Sequence, residues 1–263
     1  MIRTSVLNMT RRALLVLGLP LTLFSVWWLA TAGSTDFYVP PLSIILQKFT
    51  EVWTGERLAS DVVPSLVRLT VGYLLAVVIG VGLGLVVGTS RLVRDVLEPV
   101  LELFRAIPPP VLVPVIMLFA GIGDTMKVLV IVSGCMWPIL LNTVEGVRAV
   151  DGVLSDTCRS YGITGPSRLW HLTLRSASPQ IVTGMRQALS IAIILMVISE
   201  MFAASNGLGF TIVQFQRSFA IPEMWSGVLL LGLLGFALSL LFRLAENRVL
   251  AWYHGLRRAQ RNP

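Results

Sequence analysis

The sequence predicts an all-α membrane protein with six transmembrane helices, and three observations carry that reading. Apolar residues make up 55% of the 263 and charged residues only 13%, about half the ~25% charged residues of a soluble globular chain; mean hydropathy is +0.79. Six stretches approach the ~20 apolar residues with which a helix crosses a bilayer while pairing all of its own backbone polar groups. They fall at about 13–32, 62–89, 97–121, 126–147, 179–204 and 225–250. The period-2 alternation of a membrane barrel is absent.

Charge placement orients these spans. Arg3, Arg11 and Arg12, Arg91 and Arg94, Arg148, Arg159, Arg168 and Arg175, and Arg248, Arg257, Arg258 and Arg261 fall in the termini and in the loops after the second and fourth spans. On the alternate side Lys48, Arg57, Lys127 and Arg217 are outnumbered by Asp36, Glu51, Glu56, Asp61, Asp124 and Glu223. The positive-inside rule then makes the N-terminus 1–12, the loop 151–175 and the basic tail 251–263 cytoplasmic. The sequence pI near 10.2 reflects this topology and a membrane-lipid partner. The basic residues are spread over separate loops, so nucleic acid is not a partner.

The first span opens on a twin arginine and reaches Ala30-Thr31-Ala32, which together could mark a cleaved signal. The apolar stretch is longer than a signal core, and Trp27-Trp28 suit an interfacial belt, so we read it as retained. In the outer loop that follows, Leu42, Ile45, Leu46, Phe49, Val52 and Trp53 recur at helical spacing, predicting an amphipathic surface helix. The second span carries Gly80, Gly84 and Gly88, a spacing that flattens one helix face for close packing. The third contains Pro108, Pro109, Pro110 and Pro114. These cannot all sit in a regular helix, and the resulting break either serves packing or lines a translocation path.

Ionisable residues inside the spans are Arg68, Arg105, Arg186, Glu200 and Arg243. Arg105, Arg186 and Arg243 lie near cytoplasmic ends and can snorkel. Arg68 and Glu200 both lie toward the outer end, as a structural ion pair or as a gate or substrate contact. Neither Lys48 nor Lys127 follows a glycine, so no phosphate-binding loop exists, and catalytic residues are not expected. His171 and His254 are far apart, and Cys135 and Cys158 are isolated, so neither a metal site nor a disulfide is expected; no cofactor is implied.

The loop between the fourth and fifth spans is polar and patterned. Asp156–Tyr161 can form a short helix that Gly162 ends in the left-handed conformation. Thr164 or Gly165 can cap a second helix with Pro166 near its start, and Leu169, Trp170 and Leu172 give that helix an apolar edge. Alone, this pattern reads as a docking elbow or as a connecting loop.

The same stretch resembles the "EAA" loop of binding-protein-dependent ABC importer permeases. Asp156 stands at the Glu position, Thr157-Cys158 at the alanines, Gly162 at the glycine and Leu174-Arg175 at the later Leu-Pro, with Pro179 and "TGMRQAL" following. "FRAIPPPVLVPVIMLFAGIG", "SEMFAASNGLGF" and "PEMWSGVLLLGLLG" resemble the third, fifth and sixth spans of the nitrate/sulfonate/taurine-type branch. The resemblance runs from about Val62 to Gly235 and implies a type I ABC importer permease fold in the bacterial inner membrane. It further implies a second copy of the permease, a cytoplasmic ABC ATPase dimer and an extracytoplasmic substrate-binding protein. The loop would then be the coupling helix, with Asp156, Thr157, Cys158, Arg159, Gly162, Leu169 and Trp170 toward the ATPase. Arg68, Pro108, Pro109, Pro110, Pro114, Glu200 and Asn206 become path candidates. The implied cargo is a small oxyanion such as a sulfonate, nitrate, taurine or bicarbonate. An ATP-independent secondary transporter or channel is the alternative, although the internal repeats or coupling charges usual there are not visible.

Overall fold

The computed structural model describes residues 18–202, 204–253 and 255. The expected N-terminal segment 1–12, the beginning of the first span, His254 and the tail arginines Arg257, Arg258 and Arg261 lie outside the described residues. Every regular element among the described residues is helical. The chain divides into two compact units, one formed by residues 1–58 and 211–230, the other by 59–210 and 231–263.

The first unit contains α1 (Gly18–Thr31), α2 (Leu42–Trp53), most of α10 (Leu208–Arg217) and the start of α11 (Ile221–Val249). The helix expected from Leu42 to Trp53 is α2, and Leu42, Ile45 and Trp53 of its apolar side are buried within the protein. Thr31 Oγ1 accepts from the Leu42 backbone N–H at 3.2 Å, joining the end of α1 to the start of α2. The buried Trp53 donates to Ser226 Oγ at 3.0 Å, and its ring meets Phe215 edge-on at 6.5 Å. Gly227 permits the approach of Ile212, whose Cγ1 would lie 2.7 Å from a Cβ there.

The second unit is organised by α3 (Val63–Thr89, entered through a π-helical turn at Leu58–Val62), α6 (Asp124–Arg148) and α9 (Leu174–Phe202). Small residues set their spacing. A Cβ on Gly80 would lie 2.9 Å from Ile139 Cβ, on Gly84 2.5 Å from Thr143 Cβ, and on Gly88 2.8 Å from Val147 Cβ. The stripe of glycines on α3 therefore seats a stripe of branched side chains on α6, which is how helices approach closely in lipid, where burying apolar surface supplies no drive. Gly146 and Gly184 do the same between α6 and α9, against Ala177 and the Pro138 carbonyl. Tyr73 OH donates to the Met185 carbonyl at 2.9 Å, crossing from α3 to α9.

The third expected span, 97–121, is split. α4 (Arg91–Arg105) and the pair formed by a 3₁₀ turn at Pro109–Val111 and α5 (Leu112–Ala120) are bent by 75°. Two causes act together. Arg91, Arg94, Asp95, Glu98, Glu102 and Arg105 recur at three- and four-residue spacing, so α4 is a two-faced helix with no buried residue. Pro108, Pro109 and Pro110 then lack the N–H groups needed to continue it, whereas Pro114 falls in the first turn of α5, where no donor is required.

The fifth helix begins earlier than 179. α8 (Gly165–Arg168), a π-helical turn at Leu169–Thr173 and α9 run on as one helical stretch, Gly165–Phe202, of 38 residues, with Pro179 inside it. Among the described residues four helices are long and apolar enough to cross a bilayer, or five if the bent α4–α5 pair is taken as one broken span; the described part of α1 is shorter. Only 6% of the apolar window of α11 is buried, the exposure of a helix that faces lipid or another subunit.

Candidate path site and coupling elbow

The α3, α6 and α9 ends farthest from the arginine-rich loops meet in a polar cluster in which Ser65, Arg68, Lys127 and Glu200 are buried and Asp124 forms the exposed edge. Arg68 on α3 is 4% exposed and Glu200 on α9 is fully buried; Arg68 Nη1 donates to Glu200 Oε1 at 2.8 Å. Three further hydrogen bonds leave the same guanidinium. Nε donates to Asp124 Oδ1 at 2.8 Å, Nη2 to Asn206 Oδ1 at 2.6 Å, and Nη1 also reaches the Asn206 carbonyl at 3.2 Å. Lys127, one turn into α6, donates to the same Asp124 oxygen at 3.3 Å. The buried cations Arg68 and Lys127 are thus each paired with a carboxylate, Arg68 with the buried Glu200 and both with the exposed Asp124, and such pairing is the condition under which buried charge is tolerated.

The cluster also starts α10. A helix leaves its first N–H groups unpaired, and here side chains from far along the chain accept them. Gly207 N–H donates to Asp61 Oδ1 at 3.1 Å, Leu208 N–H to Ser65 Oγ at 2.9 Å and Gly209 N–H to Glu200 Oε2 at 3.0 Å. Ser65 Oγ stands 2.7 Å from Glu200 Oε1 and 3.0 Å from the Asp61 carbonyl, offering its single proton to one of them. Negative groups at a helix N-terminus also suit its dipole. Gly207 is obligatory, because its φ of +120° is left-handed and a Cβ would fall 2.5 Å from the Glu200 carboxyl carbon. A cleft of about 710 Å³, lined by Arg68, Asp124, Lys127 and Asn206 among others, opens beside the cluster.

Of the path candidates, Arg68, Glu200 and Asn206 are thus in direct contact. The prolines are not part of this constellation. Pro108 and Pro114 are exposed, and Pro109 packs at Gly134 of α6, where a Cβ would lie 3.0 Å away. Sequence reasoning missed Asp61, Ser65, Asp124 and Lys127. Asp124 and Lys127 were readable as an i, i+3 pair on one face at the start of a helix, and Gly207 and Gly209 flank the turn that receives the side chains.

At the other end of the Gly165–Phe202 stretch lies the elbow. α7 (Gly152–Ser160) begins earlier than Asp156 because Asp151 caps it, accepting from Val153 N–H at 2.7 Å and Leu154 N–H at 3.2 Å. Gly162, at φ +70°, ends it in a Schellman turn: Ile163 N–H donates to the Cys158 carbonyl at 2.8 Å and Gly162 N–H to the Arg159 carbonyl at 3.1 Å. Thr164 and Gly165 then open the second helix, and Arg168 Nη2 donates to Ser155 Oγ at 2.7 Å, fixing the angle between the two. Asp156, Thr157 and Arg159 are exposed, while Cys158 and Leu169 are half-buried. The apolar side chains Val153, Leu154, Tyr161 and Trp170 are exposed as well, Trp170 to 66%.

The profile described as "Binding-protein-dependent transport system inner membrane component" matches residues 72–251. The taurine transport system permease protein TauC of Escherichia coli (strain K12) is 28% identical over 252 residues, covering 93% of this chain and 92% of TauC. The nitrate import permease protein NrtB of Synechocystis sp. is 25% identical over 235 residues, 86% of each chain. Among solved structures, an inward-facing form of the MetNI methionine ABC transporter aligns with a TM-score of 0.62 at 20% identity, over 73% of this chain and 93% of that one. An amino acid ABC transporter determined with histidines gives a TM-score of 0.53 at 20% identity, over 84% and 98%.

Proposed function

Because this chain belongs to the family of inner-membrane components of binding-protein-dependent transport systems, in its nitrate/sulfonate/taurine branch, we propose that it imports a small oxyanion, a sulfonate, nitrate or taurine being the nearest chemistry. It is a multi-pass, non-catalytic permease subunit with the type I importer fold; a separate ATPase hydrolyses ATP and a binding protein delivers cargo. In our reading two copies enclose the path, both termini and the elbow face the cytoplasm, and Arg68, Glu200 and Asn206 close its outer end.

One observation carries the coupling scheme: elbow and polar cluster are joined by the continuous Gly165–Phe202 helical stretch. At 1.5 Å per residue it would be roughly 57 Å long. The exposed Trp170 and the α7 face rest in a groove of the ATPase, and closure of the nucleotide sites shifts them. A helix transmits that shift along its axis to Glu200, hence to Arg68 and the start of α10. Opening and sealing of the outer cleft then follow the ATPase cycle without covalent chemistry in this chain.

The test is uptake of labelled taurine or nitrate into proteoliposomes holding the permease with its ATPase. Uptake is expected only with both ATP and the binding protein supplied. Uptake by the permease alone, driven by an ion gradient, would establish a secondary transporter instead.

A further inference from the structure

α11 runs from Trp225 to Phe242 without an ionisable residue and turns polar at Arg243. Those 18 residues rise ~27 Å, close to the ~30 Å of a hydrocarbon core. Arg243 therefore stands where hydrocarbon ends and lipid phosphates begin. α9 brings Arg186 to the same level, where it pairs with Glu246. Between them lies a cleft of about 520 Å³ lined by Arg186, Ser190, Ser239, Arg243, Glu246 and Asn247.

Two guanidiniums against one carboxylate leave this cleft with a charge of +1. Glu246 is largely buried and committed to Arg186. Arg243 has neither a hydrogen bond nor an ion pair among the described residues, and the Ser190, Ser239 and Asn247 side chains are equally unengaged. At this level an exposed arginine reaches the lipid phosphates by snorkelling. Its planar fork is matched by the paired oxygens of a phosphate or sulfonate. Along α11, Phe236, Leu240, Arg243 and Asn247 recur at helical spacing on one face, and Phe236 and Leu240 are exposed. That stripe offers an apolar track leading to a cationic end.

We propose that this cleft binds a singly charged oxyanion, with the phosphodiester of an anionic phospholipid as its occupant and the acyl chain along Phe236 and Leu240. Basic pockets between membrane helices hold lipid headgroups in this manner. A free oxyanion would use the same donors without needing the apolar track. Lipid retention is read without transport, so this site stands or falls separately from the importer assignment.

The experiment is native mass spectrometry of the full chain with its ATPase, released from nanodiscs of equal phosphatidylglycerol and phosphatidylcholine. The unaltered protein should retain phosphatidylglycerol in preference. Arg243→Gln should lower that preference about tenfold, while Arg243→Lys keeps most of it. Retention that resists millimolar sulfate identifies the lipid as the source. Displacement by sulfate, with sulfate adducts lost in Arg243→Gln, assigns the same site to a free oxyanion. Equal retention by the unaltered protein and Arg243→Gln, insensitive to sulfate in both, would overturn the proposal.

Discussion

The two ends of the Gly165–Phe202 helical stretch are both polar, and they differ in what remains to be satisfied. At the Glu200 end, the donors and acceptors described above are matched from within the chain, and Ser65, Arg68, Lys127 and Glu200 are buried, with Asp124 at the exposed edge. At the Trp170 end the backbone is equally well ordered, through Asp151 and Gly162, yet the apolar side chains stand in the open. A buried, self-matched set contributes to the stability of one chain, whereas an ordered but exposed set awaits a partner. Substitutions at the two ends should therefore fail in different assays.

The largest effect is expected at Glu200. Glu200→Ala removes the buried partner of Arg68 and the cap of Gly209, and stranding one member of a buried pair costs about 3–5 kcal/mol. The yield of folded permease and its melting temperature in detergent should fall sharply. Replacing Arg68 and Glu200 together by methionine should cost less than the sum of the single changes. Additive losses would separate the two residues energetically and weaken the contrast.

A smaller loss is expected where the chain is packed by shape alone. Gly84→Val puts a branched side chain against Thr143, whose Cβ would lie 2.5 Å from the new Cβ, and overpacking of this kind costs about 1–3 kcal/mol. Melting should drop while the ATPase still co-purifies with whatever permease folds.

The smallest effect on melting, with the most selective loss of coupling, belongs to Gly162. A side chain in the left-handed conformation costs about 1–2 kcal/mol, but no atom within 4 Å would meet a Cβ there. Gly162→Val should lower melting by only a few degrees yet abolish pull-down of the ATPase, with Gly162→Ala milder. Normal ATPase binding by Gly162→Val would reduce the elbow to a connecting loop.

These regions were not equally readable from the sequence. The long helices are visible because lipid demands uninterrupted apolar length. The turn at Gly162 is visible because it is local: a short polar helix, a glycine, then a capped start. The start of α10 is different. Asp61 and Ser65 reach Gly207 and Leu208 across 146 and 143 residues, and no periodicity records such a pairing. Asp124 and Lys127 read by their charge only as residues of the outer side, and their place in the first turn of α6 is what brings them to Arg68. α4 was hidden for the opposite reason. Its apolar residues extended the neighbouring run, and only its three- and four-residue charge spacing separates it from a span.

The pairing of Arg68 also sets a timetable for biogenesis. Its first carboxylate, Asp124, follows 56 residues later, and Glu200 follows 132 residues later. At the ~5–20 residues per second of synthesis, α3 carries an unneutralised arginine for roughly 3–11 s, and lacks its buried partner for roughly 7–26 s. Throughout that interval the nascent α3 has to keep its Arg68 end in water or at the headgroups. It becomes a settled membrane helix only when α6 and then α9 have arrived beside it.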